Sequence, residues 1–483
     1  MRTFSALLLM PFLSAGAAFG GLIISQSGPL PDPPAGGKPG APLEGALIRV
    51  ALSVTDQKAF DDLDWNASAH FGLDGNPLPG ATRDTVLAVL DSGAATHIVS
   101  YPDSLSFGVT GPILSPNILP IGGVGGMAEL AISMPIGLFV HGVQHLGANN
   151  AIDPNLVIGQ GNFAAGVNTE ANHSGGLELP SLLGAPLFAY FGTVVRNSER
   201  QVFQFDGERV SSASVDFFFS ADDPVIPTFP HRFSIEPGPA SPLTVGFFPD
   251  ILGGIDGGFN TPLTPSSIGS GLTGSLFFLT TPVSLSAGGA NTTARMMFDT
   301  AAQGTILSEV IAGEQLGLDL DNPDFEVEIS GVGGLSTAPG FFLDELVISA
   351  IGGSLSWSNV PVVVRNLTSP EQGILQGIIG MNLFGDRDFV VNTLVQFPYI
   401  EVSAPIIEPE IEITGMRQLS GEEWEIDWRS EPAAPRMRLQ TTDGPGLLAD
   451  DWANVATSRF GSIEGTLSVS NASPVQLFRF EGD

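Results

Sequence analysis

Three short sequence elements occur twice along this chain, in the same order, which indicates that one structural unit has been duplicated. Each copy opens with an aspartate that follows apolar residues and precedes a small hydroxyl residue. A glycine-rich element begins 32 residues after each aspartate, from 91 to 123 and from 299 to 331, and an apolar pair followed by glycine closes each copy. The copies read Val-Leu-Asp91-Ser92-Gly93-Ala94, Gly123-Val124-Gly125-Gly126 and Leu182-Leu183-Gly184, then Met-Phe-Asp299-Thr300-Ala301-Ala302, Gly331-Val332-Gly333-Gly334 and Ile378-Ile379-Gly380.

The composition favours a β-rich chain of several domains. The 60 glycines and 38 prolines are spread between short runs of β-branched and aromatic residues, which is typical of many short strands joined by tight turns. Residues 308–316 are the best candidate for a short helix. At 483 residues the chain is too long for a single core, so we expect two or three domains.

Charge and cysteine content exclude several classes of function. The formal net charge is −33, with 18 basic against 51 acidic residues, and such a surface repels the phosphate backbone of nucleic acids. The chain has no cysteine, which rules out disulfides, thiol catalysis and thiolate metal sites. The lack of disulfides is compatible with secretion by a bacterium.

The first 20 residues have the features of a secretory signal peptide. Arg2 supplies a positive charge, residues 4–13 form an apolar core, and Ala15-Gly16-Ala17 resembles a cleavage site. We therefore expect a secreted protein, either extracellular or periplasmic. Residues 21–45 are rich in proline and glycine and are predicted to form a flexible spacer. No later stretch is apolar and long enough to span a membrane.

The repeat sets the predicted domain boundaries. Residues 46–210 form the first lobe and residues 211–400 the second, followed by a linker at 401–410. Residues 411–483 contain three of the five tryptophans and alternate as strands do, so we predict a small C-terminal β-sandwich module. The strands predicted for the lobes are 47–54, 85–90, 128–136 and 192–205, then 276–279, 295–298, 325–329, 345–351 and 360–365.

Asp91 and Asp299 each lie between apolar residues and a turn of small residues. A carboxylate in this setting is partly buried, so it needs hydrogen bonds from the N–H groups of the turn and from a neighbouring hydroxyl. Where pseudo-symmetry brings the two turns together, the carboxylates cannot both ionise, and they share one proton. One group can then act as a base towards water while the other acts as an acid.

These elements resemble those of the aspartic proteases, particularly the retropepsin-like family, whose dyad is the general example of such proton sharing. The resemblance covers both lobes and implies an all-β, bilobal fold of double-psi closed barrels related by a pseudo-twofold axis, in a monomer. It implies that Asp91 and Asp299 are catalytic and act without cofactor or metal. It also implies active-site support from Ser92, Gly93, Thr300 and Ala301, and substrate-binding flaps at Gly122, Gly123, Val124, Gly125 and Gly126 and at Gly331, Val332, Gly333 and Gly334.

The sequence departs from the family pattern at Ala301, where the family has glycine. If this position needs a positive φ, alanine costs about 1–2 kcal/mol and can displace the carboxylate. If φ is negative, the backbone N–H is retained and little is lost. Pepsin-like enzymes also have a flap tyrosine, but Tyr101, Tyr190 and Tyr399 all lie outside the glycine-rich elements, which favours the retropepsin-like interpretation.

Other polar groups are open to two interpretations each. His141 and His145 have the spacing of metal ligands on a helix, but a glycine between them and the β-rich sequence favour a strand or turn. His97 is expected to pack or cap behind the first aspartate turn. Residues 319–324 contain three aspartates, which could bind calcium or form a solvated turn. We expect no metal site and no cofactor.

The predicted function is a secreted aspartic endopeptidase that binds an extended peptide between its lobes, beneath the glycine flaps. Its partners would be peptides or proteins and not nucleic acids. One alternative, motivated by Ala301, is a catalytically inactive extracellular or envelope protein that keeps the lobes for peptide binding or structure. Another is an acidic adhesin whose C-terminal module binds carbohydrate or cell wall.

Overall fold

The structure is a computed structural model. It describes residues 23–26, 30–56, 85–94, 96–124, 126–134, 136–143, 152–163, 165–170, 180–237, 279–331, 334–366, 375–406, 410–420, 423–434, 437–442, 453–457, 462–470 and 477–482. The predicted signal peptide lies outside these ranges. Strands dominate, and the described α helices are α1 (Tyr101–Phe107) and α2 (Ala185–Tyr190). The prediction of an all-β chain is confirmed.

The strands are numbered in chain order. The first fourteen are β1 Ile23–Gln26, β2 Arg49–Asp56, β3 Val86–Leu90, β4 Ile98–Val99, β5 Leu114–Gly123, β6 Gly126–Ser133, β7 Ile136–Val143, β8 Ile152–Phe163, β9 Gly166–Val167, β10 Ser181–Leu183, β11 Gly192–Phe205, β12 Glu208–Phe218, β13 His231–Ser234 and β14 Glu236–Pro237. The others are β15 Leu279–Ala287, β16 Ala290–Phe298, β17 Thr305–Leu307, β18 Phe325–Gly331, β19 Gly334–Ile348, β20 Leu355–Val364, β21 Gly377–Ile379, β22 Phe389–Asn392, β23 Tyr399–Val402, β24 Glu410–Ser420, β25 Glu423–Ala434, β26 Met437–Thr442, β27 Ala453–Thr457, β28 Ser462–Ser470 and β29 Leu477–Gly482.

A nine-stranded sheet in the first half of the chain has the order β5-β6-β9-β4-β10-β3-β2-β7-β8. Near its centre, β10 runs parallel to β3 and antiparallel to β4, and β4 runs parallel to β9. The residues of β3 and β10 are almost all buried, as expected for apolar strands that are covered on both faces. Asp91 therefore follows β3 in the interior of the protein.

The second nine-stranded sheet has the order β1-β18-β19-β20-β17-β21-β16-β15-β14. A further pairing between β19 and β15 closes six of these strands into a barrel, in agreement with the predicted closed-barrel fold. Within the barrel, β21 runs parallel to β16 and antiparallel to β17, and β17 runs parallel to β20. The strands around Asp299 thus have the same pairing pattern as those around Asp91.

Strands from both halves of the chain share a five-stranded sheet with the order β12-β11-β22-β23-β13. The two halves also share one hydrophobic core, which includes Leu90 before the first aspartate and Phe298 before the second. Phe298 packs edge-to-face against Phe384 and Phe389, with ring centroids 5.3 and 5.6 Å away. This shared core fixes the ends of β3 and β16 relative to each other.

Residues 30–48 lie between β1 and β2 and are held against the second half of the chain. The Gly40 N–H donates to Ser358 O at 2.8 Å, and the Gly45 N–H donates to Gln303 O at 2.7 Å. The Asn382 side chain also donates to the Pro42 carbonyl oxygen at 3.1 Å. Over its described residues, the segment predicted as a spacer therefore has a defined position.

The C-terminal region is entirely β in its described residues. Strands β24, β25 and β28 form one three-stranded sheet, and β27, β26 and β29 form another. All pairs within these sheets are antiparallel. The packing of the two sheets into a sandwich stays a prediction.

Each of the nine strands predicted for the lobes overlaps an observed strand, but the structure has 22 strands, β2 to β23, in the described residues of this region. Strand β11 has the predicted bounds. Strand β19 begins at residue 334, whereas the predicted strand began at 345. The prediction was too short because Pro339 and Gly340 interrupt the apolar pattern in the sequence, although they do not end the strand. The predicted short helix is present as Val310–Gln315, with wide turns in which the Leu316 N–H donates to Ile311 O at 3.0 Å. None of the described helices is long and apolar enough to cross a bilayer.

Candidate active site

The Asp91 side chain is held by the turn that follows it. Its backbone N–H donates to Leu183 O at 2.9 Å, which ties the residue to β10. Its Oδ1 atom accepts hydrogen bonds from the N–H groups of Gly93 at 2.8 Å and Ala94 at 2.9 Å. The side chain is fully buried, and these two donors replace the water that the carboxyl group has lost.

Asp299 is held in the same way in the second half of the chain. Its backbone N–H donates to Ile379 O at 3.1 Å, and its Oδ1 atom accepts a hydrogen bond from the Ala301 N–H at 2.8 Å. The chain then turns so that the Ala302 N–H donates to Asp299 O at 3.3 Å, as the Ala94 N–H does to Asp91 O at 3.4 Å. The two aspartates are therefore equivalent in local structure as well as in sequence.

Four hydrogen bonds interlock the two turns. The Ser92 N–H donates to Thr300 Oγ1 at 3.0 Å, and the Thr300 N–H donates to Ser92 Oγ at 3.1 Å. The Ser92 hydroxyl donates to Phe298 O at 2.8 Å, and the Thr300 hydroxyl donates to Leu90 O at 2.6 Å. The pattern is reciprocal, as an approximate twofold axis between the turns requires.

The carboxyl groups of Asp91 and Asp299 are joined by a side-chain hydrogen bond, and the Gly93 N–H also hydrogen-bonds Asp299. The aspartates are 0% and 1% exposed. Burial raises the pKa of Asp299 to about 6, against the opposing effect of its hydrogen bonds to Ala301, Asp91, Ala302 and Gly93. A hydrogen bond between two carboxyl groups requires that one of them carries a proton.

Gly93 and Ala301 occupy equivalent positions in the two turns, and only the first is a glycine. A Cβ atom on Gly93 would lie 2.5 Å from the Asp299 Cγ atom, so this position excludes a side chain. Among the described non-glycine residues, positive φ angles occur at Asp206 and Asn359 and not at Ala301. Ala301 is therefore unstrained, and its N–H retains the bond to Asp299.

The apolar pair followed by glycine supports each turn from behind. The Ala185 N–H donates to Ala94 O and the Met381 N–H donates to Ala302 O, both at 2.7 Å. The glycines pack closely against the turns, since a Cβ atom on Gly380 would lie 2.3 Å from Gly304 O and one on Gly184 would lie 2.2 Å from Thr96 O. No larger residue fits behind either aspartate.

His97 has a structural partner, and its equivalent in the repeat is Thr305. The Gly184 N–H donates to His97 Nδ1 at 3.0 Å, and the Gly380 N–H donates to Thr305 Oγ1 at 3.3 Å. Both side chains are buried six residues after their aspartate. His97 thus fixes the supporting glycine of the first turn, which agrees with the capping role expected for it.

The glycine-rich elements are the tips of two β hairpins with the same register. Gly123 lies opposite Gly126 between β5 and β6, and Gly331 lies opposite Gly334 between β18 and β19. Each hairpin therefore turns through two residues, and Gly126 and Gly334 have similar φ angles of 128° and 122°. Gly122 lies in β5, one residue before the first tip.

The first hairpin contacts the second. Val124 at the first tip is 2% exposed and belongs to a hydrophobic cluster that includes Val327 and Ile329 of β18. Ala302, next to the second aspartate turn, belongs to the same cluster. Three other predicted flap residues, Gly125, Val332 and Gly333, lie outside the described part of the chain.

The remaining candidates do not form a metal site in the residues described. His141 lies in β7, buried near the Phe139 ring, and His145 falls outside the described ranges. Asp319 accepts a hydrogen bond from the Asp321 N–H at 3.3 Å, which closes a turn. Within the described chain, no three His, Asp or Glu side chains are grouped so that they could hold a metal ion.

Sequence reasoning missed the contribution of β1 and Gln303 to this region. Strand β1 pairs with β18, the first strand of the second hairpin, and the Ile24 N–H donates to Gln303 Oε1 at 2.8 Å. Gln303 follows Asp299 by four residues, so its proximity to the site could have been inferred. The position of β1 carries no comparable signal, because its partner is about 300 residues away in the chain.

Part of the chain matches a known protein family. Residues 282–383 match the family model described as aspartyl protease. The matched segment runs from β15 to the end of the turn after β21, and it contains Asp299, the second hairpin and Gly380. It covers about a fifth of the chain and does not include Asp91. The match supports a protease function at the level of the aspartyl protease family.

A comparison with curated proteins gives no match. Two hydrogen-bonded carboxyl groups that hold one proton can remove a proton from one group and supply a proton to another in the same step.

Proposed function

We propose that this chain is a secreted aspartic endopeptidase in which Asp91 and Asp299, one from each lobe of a bilobal monomer, hydrolyse peptide bonds together. The observation that carries the proposal is the hydrogen bond between the two buried carboxyl groups. The reciprocal bonds of Ser92 and Thr300 support it, because they hold two aspartates that are far apart in the sequence in fixed register.

The reaction needs one shared proton and one water molecule. The ionised carboxylate accepts a proton from water as the water oxygen attacks the peptide carbonyl carbon. The protonated carboxyl group gives its proton to the carbonyl oxygen, which yields a neutral tetrahedral diol. The carboxyl group that took the proton from water then gives it to the peptide nitrogen as the C–N bond breaks. A diol hydroxyl gives its proton to the other carboxylate, so the dyad again holds one proton and the products are an acid and an amine.

Peptide binding would use the outer edge of a hairpin. An extended peptide can add as a strand to β5, the end strand of its sheet, or to the edge of β18 that β1 pairs with. Every second side chain of the peptide would then contact apolar residues near the aspartate turns, among them Ile98, Leu182, Ile306 and Ile378. We therefore expect cleavage next to apolar residues.

The alternative of an inactive peptide-binding protein was motivated by Ala301. The Ala301 N–H donates to Asp299, and Ala301 is not among the described residues with a positive φ. The substitution therefore leaves the hydrogen bond to the carboxylate intact, which favours activity.

A peptidase assay between about pH 3 and pH 7 tests the proposal with wild type, Asp91→Asn and Asp299→Asn. Asparagine keeps an oxygen that can accept the bonds from the turn but cannot exchange protons, so each variant should lose activity by about 10²–10⁴-fold. Asp344→Asn, at an exposed position, is the matched control and should keep full activity. Equal rates in all four proteins would refute the dyad.

Secretion is tested separately from catalysis. Expression of the full chain in a bacterial host should place the protein outside the cytoplasm, with the first 20 residues removed. N-terminal sequencing of the exported protein gives the cleavage point. Retention of an uncleaved chain in the cytoplasm would contradict export.

A further inference from the structure

Strand β1 adds to the edge of the second hairpin as an extra antiparallel strand. Ile23 pairs with Ser330, Ile24 with Ile329 and, after an irregularity, Gln26 with Glu328. β1 is the end strand of this sheet, and β18 lies between it and β19. A peptide bound by strand addition would use this same edge.

The two isoleucines of β1 pack against different clusters. Ile24 is 7% exposed and belongs to the cluster that contains Ala302 beside the second aspartate turn. Ile23 packs against the cluster that contains Ala301. Because successive side chains of a strand point to opposite faces, one short strand reaches both clusters.

These clusters contain equivalent residues of the two repeats. The Ile24 cluster includes Ile306, Ile329 and Ile378, and the Ile23 cluster includes Ile98, Ile121 and Leu182. Ile98 and Ile306 follow their aspartates by seven residues, and Ile121 and Ile329 follow by thirty. Leu182 pairs with Ile98 just as Ile378 pairs with Ile306. β1 therefore crosses the pseudo-twofold axis of the site, as a bound peptide would.

A backbone hydrogen bond also holds β1 in this position. The Ile24 N–H donates to Gln303 Oε1 at 2.8 Å. The Gln303 carbonyl oxygen in turn accepts from the N–H groups of Gly45 at 2.7 Å and Asn382 at 3.1 Å, which fixes the residue. Because Gln303 contacts the main chain of β1, it can bind peptides of differing sequence in the same way.

We propose that residues 23–26 are an internal peptide that occupies the substrate cleft and blocks it, and that the two isoleucine sites select substrates with two consecutive aliphatic residues. This proposal rests on the proposed peptidase function. With β1 in place, the aspartates are 0% and 1% exposed, so a substrate carbonyl group reaches them only in the fraction of molecules from which β1 has moved away. The bonds that hold residues 40–45 keep β1 at a high effective concentration beside the cleft.

The test uses the full chain and an Ile24→Glu variant, which places a carboxylate in an apolar site and should expel β1. Ile351→Glu is the matched control, because Ile351 is 77% exposed. We expect the Ile24→Glu protein to cleave aliphatic peptides at least tenfold faster than wild type and Ile351→Glu. A synthetic peptide of residues 21–27, Gly-Leu-Ile-Ile-Ser-Gln-Ser, should inhibit the variant competitively, and a scrambled peptide should not.

Hydrogen exchange of residues 325–331 gives a readout that does not need activity. In wild type this strand should be protected, in Ile24→Glu its exchange should rise, and the added peptide should restore protection. Equal cleavage rates in wild type and Ile24→Glu, or unchanged exchange in the variant, would overturn the block. If no protein cleaves any peptide, the proposed peptidase function fails, and the exchange experiment alone decides whether β1 occupies the cleft.

Discussion

Ser92 and Thr300 each accept a hydrogen bond from the other's backbone N–H, at 3.1 and 3.0 Å. Each hydroxyl also donates to the carbonyl oxygen of the residue that precedes the other repeat's aspartate. Both side chains are fully buried, so water cannot replace a partner that is lost. The two aspartate turns are therefore a single hydrogen-bonded unit.

Replacing the Thr300 hydroxyl should destabilise this unit. Thr300→Val keeps the shape but leaves the Ser92 N–H and the Leu90 carbonyl oxygen unpaired, so the free energy of unfolding should fall by about 2–4 kcal/mol. Thr300→Ser is the control, because it retains the hydroxyl and loses only a methyl group, worth about 1 kcal/mol. Urea unfolding measures both, and an equal loss in the two variants would argue against the interlock.

Gly93→Ala and Ala301→Gly should have different effects on peptidase activity. Gly93→Ala places a Cβ atom 2.5 Å from the Asp299 Cγ atom, so the carboxyl group must move. A displacement of this size should reduce peptidase activity by about a hundredfold or more. Ala301→Gly removes only a methyl group from an unstrained position and should keep activity within a few-fold of wild type, as measured by initial rates.

The opposite result would assign a different role to Ala301. If Ala301→Gly raises peptidase activity strongly, the alanine side chain lowers the rate of catalysis even though the Ala301 N–H donates a hydrogen bond to Asp299. Circular dichroism of both variants should match wild type, which would separate a local effect on the dyad from a loss of folding.

Several features of the fold were accessible from the sequence because the repeat marks them twice. The apolar run before each aspartate predicted a buried strand, and β3 and β16 end at Leu90 and Phe298. The equal offsets of the glycine elements predicted two equivalent flaps. The structure has two equivalent hairpins with paired glycines, and their role as flaps stays a prediction. Catalytic roles for Asp91 and Asp299 stay predictions that the peptidase assay tests.

Other features were not accessible, because they depend on contacts between distant segments. Ile23 and Ile24 directly follow the apolar leader, and a four-residue strand has no periodicity of its own. The proline- and glycine-rich composition of residues 21–45 predicted a flexible spacer, because composition does not show that Ser358, Asn382 and Gln303 bind the backbone of residues 40–45. Long-range backbone pairing of this kind leaves no pattern in a single sequence.

The glycine behind the second turn offers a test of close packing. A Cβ atom on Gly380 would lie 2.3 Å from the Gly304 carbonyl oxygen, so Gly380→Ala should lower the free energy of unfolding by about 1–3 kcal/mol. Gly385→Ala is the control, since its nearest neighbour would be 3.8 Å away. Thermal unfolding of both proteins measures the difference, and a Gly380→Ala variant as stable as wild type would contradict this close packing.

The raised pKa of Asp299 predicts how stability depends on pH. Its pKa rises from 3.8 to about 6 on burial, so between these values the folded protein holds a proton that the unfolded chain has released. The contribution to stability is present below pH 3.8 and is lost as the pH rises through about 6. The loss amounts to about 3 kcal/mol, from about 1.4 kcal/mol for each pKa unit.

Asp299→Asn isolates this effect, because asparagine stays neutral at every pH. Relative to wild type, the variant should gain about 2 kcal/mol in the free energy of unfolding between pH 4 and pH 7, since only wild type must hold a buried charge at the higher pH. Urea unfolding at the two pH values measures the gain. The exposed Asp344→Asn variant removes the same charge and should show no such gain, whereas an equal pH dependence in both variants would mean that Asp299 ionises as easily in the folded protein as in the unfolded chain.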